Sequence, residues 1–186
     1  MIRRFFASFL VVIVGARAES SWKQIDQTQA DSTILEVSVA DAQSGDPLPF
    51  RAIVTTSEGK FADGSGRNVY DDGRFFADGE FTAEISPGKT KIHLSRGPEY
   101  LPLEFEVDCP RDTKTTIAAK LHRWINLAER GWFCGDNHVH AKHDSHTPIR
   151  TDLSYAALQA RAQGLNWITE AGSNVSYDQI TQLSTD

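Results

Sequence analysis

Four of the six histidines fall within nine residues, His138, His140, His143 and His146. Neutral imidazole is the usual protein ligand for zinc and its first-row neighbours, so a metal site explains the clustering better than surface decoration does. The run Gly135-Asp136-Asn137-His138-Val139-His140 sets three ligand-capable side chains two residues apart. In an extended strand alternate side chains share a face, which predicts Asp136, His138 and His140 on one side and Asn137 and Val139 on the other. Imidazoles about 7 Å apart along such a strand can converge on one ion. Asp136 would complete the shell or orient a histidine from behind it. A divalent ion held this way, zinc first and manganese or iron as alternatives, lowers the pKa of bound water and polarises a carbonyl or phosphoryl oxygen. That is hydrolysis of a small-molecule substrate without an amino-acid nucleophile, and no side chain is singled out as catalytic. No Gly-x-Ser-x-Gly elbow, Walker loop or dinucleotide fingerprint is present, so serine-hydrolase, P-loop and dehydrogenase chemistries have no support.

The elements that must position these residues read as a parallel α/β unit. Trp132 to His140 has the pattern of a strand, Asp152 to Gln163 of a helix and Leu165 to Glu170 of a second strand. Asp152 is the expected N-cap, Gly164 the expected left-handed C-terminal residue, and Leu153, Ala157 and Ala160 the expected buried face. Ser176-Tyr177-Asp178-Gln179 has the form of a capping box opening another helix. The His-x-His pair closes the first strand, and the carboxyl ends of barrel strands are where active sites are built.

Upstream, residues 33–122 show period-two patterning broken by turns, as short antiparallel strands with one buried face produce. Leu35, Val37 and Val39 alternate with polar residues; Phe50, Ala52 and Val54 follow a turn at Ser44-Gly45-Asp46-Pro47. Phe81, Ala83 and Ile85 lead into Pro87-Gly88, whose turn chemistry predicts Ile92 and Leu94 as the returning hairpin strand. Leu103 to Val107 and Ile117 to Leu121 complete six or seven strands of an all-β sandwich. The glycine-rich stretch Phe61 to Gly79 reads as a solvated loop, since Asp63, Asp71 and Asp72 lack EF-hand spacing for calcium.

Residues 1–18 have the features of an export signal: Arg3 and Arg4, an apolar run from Phe5 to Val14, then Ala16-Arg17-Ala18. The apolar run is short for a bilayer-spanning helix, so cleavage after Ala18 predicts a secreted or periplasmic chain with no stable membrane span. Removing the three leader arginines shifts the formal charge from -6 to about -9, with 16 Lys and Arg against 25 Asp and Glu, which argues against a nucleic-acid partner. Cys109 and Cys134 are either a disulfide or two separate thiols, as an oxidising compartment permits both.

Residues 123–186, through Arg123-Trp124, Gly131-Trp132 and Gly135-Asp136-Asn137-His138-Val139-His140, resemble the opening of the PHP-domain metallohydrolases, in particular the exported CehA/McbA-type branch that includes carbamate hydrolases. The resemblance implies that the His-x-His pair binds metal and that His146, six residues after His140, binds a further ion. It also implies a Thr-Asp-His motif at the end of the second strand, where this chain has Thr169-Glu170-Ala171. Ala171 cannot bind metal and Glu170 keeps the carboxylate, so a one- or two-metal centre is implied rather than three. Residues 37–121 resemble carboxypeptidase-regulatory-like or transthyretin-like modules, through Gly45-Asp46-Pro47-Leu48-Pro49 and Ile85-Ser86-Pro87-Gly88-Lys89-Thr90. The expectation is an N-terminal all-β sandwich followed by the truncated start of a PHP-type α/β barrel. Closed α/β barrels need on the order of 200 residues or more, so this chain reads as an N-terminal fragment, inactive alone. Two alternatives stand beside it: an amidohydrolase-type metalloenzyme, and a non-catalytic exported β-sandwich binding module.

Overall fold

The computed structural model describes residues 19–141 and 151–170. Eight strands carry the N-terminal part: β1 (Ser21–Gln29), β2 (Ile34–Asp41), β3 (Pro49–Thr55), β4 (Arg74–Asp78), β5 (Glu80–Glu84), β6 (Gly88–Ser95), β7 (Leu103–Cys109) and β8 (Thr113–Leu121). They hydrogen-bond in the order β1-β8-β2-β5-β4-β3-β6-β7. All neighbours are antiparallel except β2 and β8. The two ends of that order meet, since Trp22 of β1 stacks on Phe105 of β7 with ring centroids 4.4 Å apart. The sheet therefore folds over on itself around one core, as a β-sandwich does.

That core is the alternation read from the sequence. Leu35, Val37, Phe50, Val54, Ile92, Ile117 and Leu121 are fully buried, while their strand neighbours are more exposed. Burying each such side chain stabilises the fold by about 1.5–3 kcal/mol. Strand β1 lies outside the span anticipated for the sandwich, and every one of its residues is exposed. It is held by its ladder to β8 and by the Trp22 stack, neither of which leaves an apolar period in the sequence.

Two expectations about the strands are corrected. The Pro87-Gly88 turn does not close a hairpin, because β5 pairs with β2 and β4 whereas β6 pairs with β3 and β7. The turn residues are right, with Gly88 at φ +116°, but the chain crosses the fold there. The stretch Phe61 to Gly79 is not all loop: it contains β4, where Phe75, Phe76 and Ala77 are consecutively buried. A strand covered on both faces shows no alternation. Within the stretch, Asp63 accepts bonds from the Ser65 and Asn68 backbone amides, and Asp72 pairs with Arg74, so these carboxylates serve local turns.

Beyond the sandwich come a 3-10 turn at Ala128–Arg130, strand β9 (Gly135–Val139), helix α1 (Leu153–Ala162) and strand β10 (Trp167–Glu170). β9 and β10 are parallel, and strand, helix, strand is the unit anticipated. Asp152 caps α1, its carboxylate accepting from the Tyr155 amide at 2.7 Å, and Gly164 follows at φ +74°. The buried face of α1 differs from the expected one. Tyr155, Ala156 and Ala162 are buried, and Tyr155 meets Phe76 of β4 edge-on, because the helix docks on the outer face of the sandwich. Cys109 is buried in β7 and Cys134 is exposed; both are free, so the disulfide alternative is not realised. No described helix is long and apolar enough to cross a membrane. The leader, His143, His146, Ala171 and the Ser176 capping box lie outside the described residues.

Candidate metal site

Strand β9 is carried to its place by a clamp on the sandwich. Arg123 bonds to the Glu99 carboxylate through two guanidinium nitrogens and also reaches Asn126. Glu99 in turn accepts from the Leu127 amide, and its carbonyl from the Trp124 amide at 3.0 Å. Behind the clamp lies Tyr100, flanked by the guanidinium groups of Arg96 and Arg123 and donating to the Asp41 carboxylate at 2.8 Å. Burial and that hydrogen bond push the Tyr100 phenol up to about 12. For Asp41, burial works to raise the carboxyl, but the Ser44 amide, the Tyr100 hydroxyl and the Gln43 amide hold it below its ordinary value. None of these residues stands out in the sequence beyond the Arg123-Trp124 pair.

The strand pair opens on Asn166. Its side-chain oxygen accepts from the Cys134 amide at 2.8 Å, and its own amide donates to the Cys134 carbonyl at 2.7 Å. The Trp167 indole then lies against Gly135, where any Cβ would collide with the ring. The ladder pairs Trp167 with Gly135 and Ile168 with Asp136, then slips so that Glu170 pairs with Val139. Within β9 the strict alternation is interrupted between Asp136 and Val139.

Through this irregularity the two histidines stay together. The Nε2 atoms of His138 and His140 are 3.2 Å apart, with ring centroids at 5.0 Å and planes at 78°. Two nitrogens on one tetrahedral zinc ion, each about 2.0–2.1 Å from it, would be separated by roughly 3.3 Å. The spacing thus suits either one ring donating its N–H to the other or both lone pairs meeting on a cation. Both rings are exposed at the C-terminal end of β9. Asp136 is turned toward its own strand, accepting from the His138 amide at 3.0 Å. That bond fixes the backbone of the first histidine. Glu170 occupies the C-terminal end of the neighbouring strand at the level of Val139. Among the described residues no group of three or more His, Cys, Asp or Glu is gathered as a metal cage. The donor set in hand is therefore two imidazoles, with a carboxylate behind one of them.

No family model, curated protein or solved structure matches this chain.

Proposed function

We propose that this protein is an exported metal-dependent hydrolase of the PHP-like kind, acting on ester, carbamate, amide or phosphoester bonds, and that β9 supplies the first corner of its metal centre. The observation carrying the reading is the convergence of the His138 and His140 Nε2 atoms to 3.2 Å at the C-terminal end of a parallel strand. His138 and His140 would hold the ion, with His146 and Glu170 as further ligands. A bound divalent ion would supply an acidified water and a Lewis acid at this position. Asp136 fixes the strand at the amide of His138, so the first imidazole is oriented from its backbone. Exposure leaves both rings accessible to a ligand arriving from solvent.

The test is calorimetric titration of the chelator-treated mature chain with zinc and with cobalt, the latter read also by its visible absorption. Binding near one ion per chain is expected, with loss of the high-affinity phase in the His138→Ala, His140→Ala double variant. Equal binding by that double variant would remove the basis for the reading.

A further inference from the structure

A second site lies away from β9, where α1 rests on the sandwich, and its argument is independent of the metal reading. Helix α1, strand β4 and the loop before it line an open cleft of about 350 Å³, at the small end of the roughly 300–1,000 Å³ range of small-molecule sites. Its apolar lining comes from Phe76, Tyr155 and Leu158. Its polar lining alternates in kind: the guanidinium groups of Arg67 and Arg161, the carboxylates of Asp78 and Glu80, and the hydroxyls of Ser65 and Ser154.

The charges in this lining balance, two positive against two negative. Each arginine is moreover tied to an acid, Arg67 to Asp152 at 3.1 Å and Arg161 to Asp78 at 2.9 Å. An ion of either sign would meet as much repulsion as attraction. A hydroxyl group suits such a wall, because it donates to a carboxylate and accepts from a guanidinium at once. The polar groups are also held in place. Arg67 lies 4.7 Å over the Tyr155 ring and is bonded to the residue that caps α1, so little side-chain freedom remains to be lost on binding. Among the described residues the buried Tyr155 hydroxyl lacks a hydrogen bond of good geometry, with Ser65 and the Phe76 backbone as the polar groups acting on it.

We propose that the cleft between α1 and β4 binds a neutral polyhydroxylated ligand, a monosaccharide or a single sugar unit of a glycan. Its hydroxyls meet the arginine, carboxylate and serine groups, and its C–H surface meets the part-exposed Leu158 side chain.

The experiment is saturation-transfer NMR and calorimetry on the mature chain with glucose, galactose, mannose and N-acetylglucosamine, and with acetate and putrescine as charged probes. At least one neutral sugar is expected to bind, with affinity changing less than about twofold between roughly 0.05 and 0.5 M NaCl, since no net charge is neutralised. Arg161→Gln and Glu80→Gln alter exposed side chains outside the core, and each is expected to weaken that sugar by about tenfold, the loss of one charge-assisted hydrogen bond. Circular dichroism checks that both variants keep the fold. Absence of binding by all four sugars overturns the proposal, as does binding of acetate or putrescine that collapses in salt, or sugar binding that both variants leave unchanged.

Discussion

Gly97 is the residue on which the helix and the sandwich meet most closely. It sits at φ +45°, donates to the Ala162 carbonyl at 3.2 Å, and leaves no room for a Cβ against the Gln163 carbonyl. A Gly97→Ala substitution must strain its own backbone and push α1 away. It should cost on the order of 1–3 kcal/mol, read in thermal unfolding as a fall of roughly 2–10 °C, and an unchanged midpoint would show the contact to be loose. The Asp41–Tyr100 pair contributes to the pH dependence of stability at both ends. Tyr100 titrates at about 12 in the fold against about 10 in an unfolded chain, so its contribution is complete below pH 10 and is lost as pH rises toward 12. Asp41 is depressed, so its contribution is present above about pH 4 and is lost as pH falls below that. Tyr100→Phe should therefore flatten the alkaline limb in denaturant titrations between pH 9 and 12, while lowering stability at neutral pH by about 1.5–3 kcal/mol. A variant with the same alkaline limb as the parent would place that limb elsewhere. At the proposed metal corner, Asp136→Ala frees the His138 amide, and zinc affinity should fall by about tenfold or more in calorimetry.

Among the elements, α1 is held by its flank more than by its own propensity. Ten residues make a marginal helix in water, so its persistence rests on Asp152 at the N-cap and on Tyr155 against Phe76. Tyr155→Ala removes the largest buried side chain of that contact and should cost about 3–5 kcal/mol. Hydrogen exchange is the measurement: α1 amides and those of β2, β3 and β8 should lose protection together, and loss confined to α1 would show that the helix undocks by itself. The same packing explains what the sequence made legible. Strands with one buried face, such as β2 and β8, announce themselves by alternation, and the helix by Asp152 and Gly164. β4 hides because α1 covers the face that solvent would otherwise wet, turning Phe75-Phe76-Ala77 into an unbroken apolar run. β1 hides for the opposite reason, having no buried face at all. The Pro87-Gly88 residues declare a turn but not which strand the chain joins afterward, since pairing is decided by the whole core. At the candidate site, chain order makes the His138 and His140 spacing readable, whereas the slip opposite Glu170 and the Asn166 bridge to Cys134 depend on a strand more than thirty residues away.

At the scale of the whole molecule, the sandwich and the segment after it are joined by contacts that neither could keep alone. Loop residues Gly97, Pro98 and Glu99 bind the end of α1, the Trp124 indole and the Arg123–Leu127 segment respectively, so one loop holds both the approach to β9 and the helix that follows it. Phe76 is inaccessible only because Tyr155 and Tyr70 pack on it. A parallel pair such as β9 and β10 has little stability of its own, and its orientation is inherited from this junction. Unfolding should accordingly be one transition. In a Trp22→Phe background Trp124, Trp132 and Trp167 report on the segment after the sandwich, whereas far-ultraviolet circular dichroism is dominated by the eight-stranded sheet. In guanidinium the two signals should share a midpoint, because undocking the helix exposes Phe76 and breaks the Glu99 clamp in the same step. A fluorescence transition at clearly lower denaturant than the dichroism would mean that the sandwich stands by itself and that β9 is only tethered to it. In the coupled case, strengthening the junction steadies the strand that carries His138 and His140, so zinc affinity should weaken in Gly97→Ala although that residue touches neither histidine.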